Sequence, residues 1–95
     1  MENSGIQQKF EEQGLQVEAL PNPSSTYFTL LIKSDNDKAV MLQVFDEVGR
    51  RVEGRTGVAS NSTLRIGSTY RPGVYYAQVL QGNKMVTVKL LKQIY

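Results

Sequence analysis

Gly73-Val74-Tyr75-Tyr76-Ala77-Gln78-Val79-Leu80-Gln81, then Gly82-Asn83, then Lys84-Met85-Val86-Thr87-Val88-Lys89-Leu90-Leu91-Lys92 is the stretch that decides the fold. Two runs rich in Val, Leu and Tyr flank a two-residue Gly-Asn loop, whose twist suits paired strands, so they predict an antiparallel hairpin. Tyr75 and Tyr76 fall on opposite faces of their strand, because side chains alternate with period two. One belongs to a core and the other to a surface. The second run is apolar, β-prone and last in the chain, where an edge strand is expected. On such an edge Lys89 and Lys92 act either as gatekeeping charges or as contacts for a receptor.

The same grammar runs backward through the chain. Leu15 to Ala19 alternates apolar and polar residues. Pro21-Asn22-Pro23 removes hydrogen-bond donors at two of three positions and forces a kinked, extended connection. Tyr27 to Lys33 places Phe28, Leu30 and Ile32 on one face, and Ala39 to Asp46 does the same with Val40, Leu42 and Val44. Asp35-Asn36-Asp37 reads as a turn capped by its own side chains. Asp46-Glu47-Val48-Gly49 reads as a hairpin turn in which Gly49 supplies a positive φ. A short strand over Arg50–Arg55 follows, then a polar loop, then Leu64 and Ile66. Seven short strands with no credible long helix predict an antiparallel β-sandwich over residues 15–95. Residues 1–14 read as a polar linker or tail, with a helical turn around Gln7–Glu12.

The chain has 95 residues, enough for one small domain. Its 40% hydrophobic and 21% charged residues suit a globular chain. With Cys 0 and His 0 there is no disulfide, thiolate nucleophile or imidazole base. No run approaches the roughly 18 apolar residues of a membrane helix, so membrane insertion is not expected. Met1-Glu2-Asn3-Ser4-Gly5 does not open a secretory signal, which suggests an excised C-terminal fragment of a longer precursor. Charge is unevenly placed. All nine acids lie at or before Glu53, against five cations there, while the remainder carries six cations and no acid.

Candidate chemistry is sparse. Asp35, Asn36 and Asp37 offer too few oxygens for calcium, and Asp46 serves a turn better than a metal, so no cofactor or metal is expected. Serines lack a histidine to activate them, which argues against an enzyme. The arginines and tyrosines are scattered rather than interleaved, which argues against nucleic acid. A surface tyrosine leaves open a carbohydrate- or surface-binding adhesive module. Asn61-Ser62-Thr63 fits the N-glycosylation pattern, which in most chains is only a polar loop.

Taken in order, Leu20-Pro21-Asn22-Pro23-Ser24, Val44-Phe45-Asp46 leading to Gly49-Arg50, Pro72-Gly73-Val74-Tyr75-Tyr76 and the terminal Lys89-Leu90-Leu91-Lys92 form a recognisable series. It resembles the type A C-terminal sorting domain of the type IX secretion system of Bacteroidetes, over about residues 15–93. The resemblance implies a seven-stranded immunoglobulin-like sandwich that ends a larger cargo. It implies passage through the periplasm, translocation to the outer membrane, cell surface or medium, and removal by a sortase-like cysteine peptidase, with the cargo released or attached to a lipopolysaccharide. The translocon and that peptidase are then the expected partners, with a homodimer through the terminal edge strand as a further expectation. The positions matching the family pattern are Pro21, Asn22, Pro23, Asp46, Gly49, Arg50, Gly73, Tyr75, Lys89 and Lys92. The implied signal is conformational, with the last hairpin and its lysine-bearing end docking on the translocon.

Overall fold

The computed structural model describes residues 10–94. The expected linker positions 1–9, and with them the first part of the expected helical turn, lie outside the described residues. Eight strands, and no helix among the described residues, follow one another: β1 (Phe10–Glu12), β2 (Leu15–Leu20), β3 (Phe28–Ser34), β4 (Val40–Asp46), β5 (Arg51–Val58), β6 (Ser62–Ile66), β7 (Gly73–Gln81) and β8 (Lys84–Lys92). They form two antiparallel sheets of four strands, ordered β1-β2-β3-β6 and β5-β4-β7-β8. The chain crosses from one sheet to the other after β3, β5 and β6.

The strand count corrects the expectation of seven. The additional strand is β1, where the last residues of the expected helical turn instead pair with β2, Phe10 opposite Val17 and Glu12 opposite Leu15. Gln13 and Gly14 turn the chain with φ of 48° and 88°, positive at both positions as a type I′ hairpin requires. Gly14 is needed for a second reason, since a Cβ there would sit 2.2 Å from the Asp35 carboxylate. β5 also runs farther than expected, to Val58, because register shifts along β4 let the irregular strand stay paired.

Alternation builds the core. Leu15, Val17 and Ala19 on β2, with Phe28, Leu30 and Ile32 on β3, form the buried face of the first sheet. Val40, Leu42 and Val44 on β4 and Tyr75, Ala77 and Val79 on β7 do so for the second, with Val86, Val88 and Leu90 on β8. All belong to one continuous hydrophobic cluster, against which Phe10, Leu64 and Tyr70 pack. The two tyrosines separate as expected, and the structure assigns them: Tyr75 is buried and Tyr76 is exposed. Away from the core, buried Gln81 ties three segments together: Nε2 donates to Lys38 O at 2.7 Å, and Oε1 accepts from Ser34 Oγ at 2.7 Å and Asn36 Nδ2 at 3.3 Å. Asn61, in the candidate glycosylation sequence, uses its side chain on Ser34, accepting from the backbone N at 3.1 Å.

With no disulfide, this cluster must supply most of the stability. Leu42→Ala should destabilise the domain by about 2–5 kcal/mol, lowering its melting temperature by roughly 10 °C or more. Val48→Ala, at a position 73% exposed, should change it by less than about 0.5 kcal/mol. Thermal unfolding of both variants checks the contrast.

Candidate functional site

Antiparallel pairing brings distant motif residues to one end of the molecule. β2 and β4 finish there at Leu20 and Asp46, β5 and β7 start there at Arg51 and Gly73, and β8 finishes there at Lys92. The register sets Gly73 opposite Lys92, Tyr75 opposite both Asp46 and Leu90, and Tyr76 opposite Lys89. All ten expected positions therefore share this end.

The Pro-Asn-Pro segment grips the last strand. Asn22 Nδ2 donates to Lys89 O at 2.7 Å, and Asn22 Oδ1 accepts from Leu91 N at 3.0 Å. A side-chain amide carries the same donor and acceptor as a peptide unit, so it substitutes for a neighbouring strand. The flanking Pro21 and Pro23 have no N–H to offer, and both X–Pro bonds are cis. Ser24 extends the grip: its N donates to Leu91 O at 3.0 Å, and its O accepts from Gln93 N at 2.8 Å. The buried Ser24 Oγ in turn donates to Tyr27 O at 2.7 Å and accepts from Thr26 N at 3.1 Å, fixing the loop.

The two terminal lysines have different surroundings. Lys92 is 5% exposed and its Nζ donates to Gly67 O, whereas Lys89 is exposed. Their spacing of three dictates this, because an odd step along a strand changes face. Tyr75 donates its hydroxyl to Arg71 O at 2.7 Å and packs its ring 4.7 Å from that of Tyr70. Tyr70 donates to Glu53 Oε1 at 2.6 Å. Burial, then that bond to a carboxylate, raise the Tyr70 pKa far above the usual phenol range.

Asp46 organises the β4–β5 turn. Its Oδ1 accepts from Val48 N at 3.1 Å and Arg50 N at 2.9 Å, and its Oδ2 accepts from Arg50 Nε at 2.9 Å. Gly49, at φ 89°, closes the turn by donating to Asp46 O at 3.0 Å. The Arg50 backbone amide is the main cause holding the Asp46 carboxyl below its ordinary 3.8; the Arg50 side chain and Val48 amide assist, and desolvation opposes them. Because Arg50 is 80% exposed, its ion pair adds little by itself. Grooves of about 410 Å³ and about 400 Å³ share Tyr70 as a wall. The first runs from Asp46 and Arg50 to Arg71, and the second from Ser25 to Lys92 and Ile94. Among the described residues no cluster of three His, Cys, Asp or Glu side chains is placed to hold a metal ion.

Residues 18–93, which include all ten positions, match the secretion system C-terminal sorting domain. The chain belongs to this family. It is a C-terminal sorting signal for the type IX secretion system, marking a protein for export to the cell surface or beyond and interacting with that machinery. Comparison with curated proteins finds no match. The alternative of an adhesive, carbohydrate-binding module gains no support.

Sequence reasoning named ten positions that the fold brings to one end, but not the residues that join them. Ser24, Gly67 and Glu53 act through backbone or cross-strand contacts that no local pattern announces. Tyr70 carried a signal, since an aromatic residue two positions before Pro72-Gly73 is well placed to pack on Tyr75.

Two measurements check this geometry. Asn22→Ala should cost about 1–3 kcal/mol, as two hydrogen bonds are lost, and should speed hydrogen exchange at the Leu91 amide more than at Val79. Asp46 has a folded pKa below its unfolded value, so its stabilisation is complete above 3.8 and is lost as pH falls through the folded value. Unfolding midpoints followed into acid should therefore fall less steeply for Asp46→Ala than for the parent.

Proposed function

We propose that the type IX machinery reads this domain as a folded body, and that the motif residues act chiefly by holding its last strand in place. The observation that carries this reading is the double hydrogen bond of Asn22 to β8, which couples the Pro-Asn-Pro segment to the terminal lysine motif. Pro21 and Pro23 set the approach of Asn22, Asp46, Gly49 and Arg50 shape the neighbouring turn, and Gly73 and Tyr75 start β7 beside it. Lys92 is an internal strut, and Lys89 is the motif lysine available to a partner.

In this reading the architecture is an immunoglobulin-like sandwich. Two features support it. The sheet orders β2-β3-β6 and β5-β4-β7-β8 match the A-B-E and C′-C-F-G strands of such domains, with β1 added at an edge. Tyr75, near the start of β7, donates its hydroxyl to the backbone four residues upstream, the arrangement of a tyrosine corner. The domain is non-catalytic and forms the C-terminal part of a larger cargo, of which this chain is an excised piece. After export, a sortase-like cysteine peptidase separates it from the cargo at a bond ahead of β1, the cargo being released or attached to a lipopolysaccharide. Self-association through β8 would use the stretch from Met85 O to Lys89 N. Among the described residues, Glu12 Oε1 already takes Met85 N at 3.1 Å, and Asn22 and Ser24 take the other end of that edge.

Fusing residues 1–95 to a periplasmic reporter in a type IX-competent cell should send the reporter out of the cell. Deleting Lys89–Tyr95 should leave it in the periplasm. Asn22→Ala and Lys92→Ala should reduce export in proportion to their loss of folding stability, and growth at lower temperature should restore it. Full export of the deletion, or of a variant shown to be unfolded, would defeat the proposal.

A further inference from the structure

The two sheets expose faces of opposite character. On the first sheet the outward residues lie in rows Glu11–Gln16–Lys33, Glu18–Leu31–Thr63 and Leu20–Thr29–Arg65. Two acids and two cations stand there among polar side chains, with Leu20 and Leu31 between them, as suits an antiparallel face turned to water. On the second sheet one outward row is Met41–Leu80–Met85, and another places Phe45 beside Tyr76. Tyr76 is 37%, Met85 45% and Leu91 39% exposed. Between the apolar rows run Gln43, Gln78 and Thr87.

Cations bound this face. Lys89 stands opposite Tyr76, and Arg51 stands opposite Phe45. The Arg51 guanidinium lies across the sheet, because a Cβ on Gly54, itself opposite Gln43, would come within 3.0 Å of it. The outward positions of β4, β7 and β8 in these rows include no acid. Among the described residues no carboxylate pairs with Arg51 or Lys89. The acid-free second half of the sequence thus has a place in space, since β7 and β8 supply most of this surface.

We propose that the outward face of the β5-β4-β7-β8 sheet is the docking surface for a protein of the type IX machinery, one presenting an apolar surface flanked by carboxylates. The proposal rests on the sorting role and adds to it which face is read and by what chemistry. Exposed apolar side chains gathered on one face of a small domain mark an interaction site, and charge complementarity selects the partner: Arg51 and Lys89 want acids on either side of the apolar row of Phe45 and Tyr76. A second copy of this chain fits poorly, because two such faces would oppose cations with cations. The central glutamine amides offer directed donors and acceptors, which a folded protein partner matches with groups held in fixed positions, whereas a fluid lipid surface does not hold its headgroups in register with them.

The test uses the reporter fusion with the double variant R51E/T87E, both positions being exposed and outside the family motif. The matched control K33E/T63E makes the same charge change on the first sheet. Export should fall at least tenfold for R51E/T87E and stay within twofold of the parent for the control, with both melting temperatures unchanged. A photo-crosslinker at position 87, but not at position 63, should trap an outer-membrane component of the machinery. Equal export of R51E/T87E and parent would overturn the docking face while leaving the sorting role intact. So would unchanged export accompanied by loss of dimer in sedimentation, or by loss of binding to phosphatidylglycerol vesicles. If the parent fusion itself is not exported, the sorting reading fails first.

Discussion

The side-chain amide of Asn22 and the backbone of Ser24 stand in for a missing strand along the end of β8. Edge strands are ordinarily left with unpaired peptide groups that invite other chains. Here four hydrogen bonds from a proline-bounded loop satisfy that end, and each adds about 0.5–1.5 kcal/mol. Small domains are stable by only about 5–15 kcal/mol in total, so the grip is a sizeable share. It also fixes the placement of Lys92, and through Lys92 the Gly67 carbonyl and the loop that carries Tyr70.

A division of labour follows. One end of the molecule is knotted together by motif side chains, and the other by Gln81 and its contacts with Ser34, Asn36 and Lys38. Between these ends the two sheets share one apolar core. At this end Asn22, Ser24, Asp46, Tyr75 and Lys92 thus spend their polar groups on contacts within the domain. What differs between the two exposed faces is left to the outward positions of the strands, where a partner can read it without disturbing the core.

The hairpin over 73–92 was legible because period-two alternation and a Gly-Asn loop are strong local signals. So was the Asp46 turn, where an acid and a glycine three residues apart dictate each other's roles. β1 was hidden: three residues with one apolar side chain show no alternation, and Gln-Gly is a quieter turn signal than Asn-Gly. The Asn22 contact spans 67 and 69 residues. No local pattern reports such a distance, and only the order of motifs hinted at it. The contrast between Lys89 and Lys92 was available from spacing alone, once that segment is taken as a strand.

β1 is held to β2 by a ladder three residues long, and its turn to the start of β8 by Lys84 on Gln13 O and by Glu12 on Met85 N. Tension arriving along the chain from the N-terminal side meets this short ladder first and can peel it residue by residue. The Asn22 and Ser24 bonds lie beyond it, on the far side of β2, whose six-residue ladder with β3 must shear before load reaches them. β1 is thereby a mechanical fuse, able to yield to a tug from whatever precedes the domain while the end bearing the lysines keeps its shape.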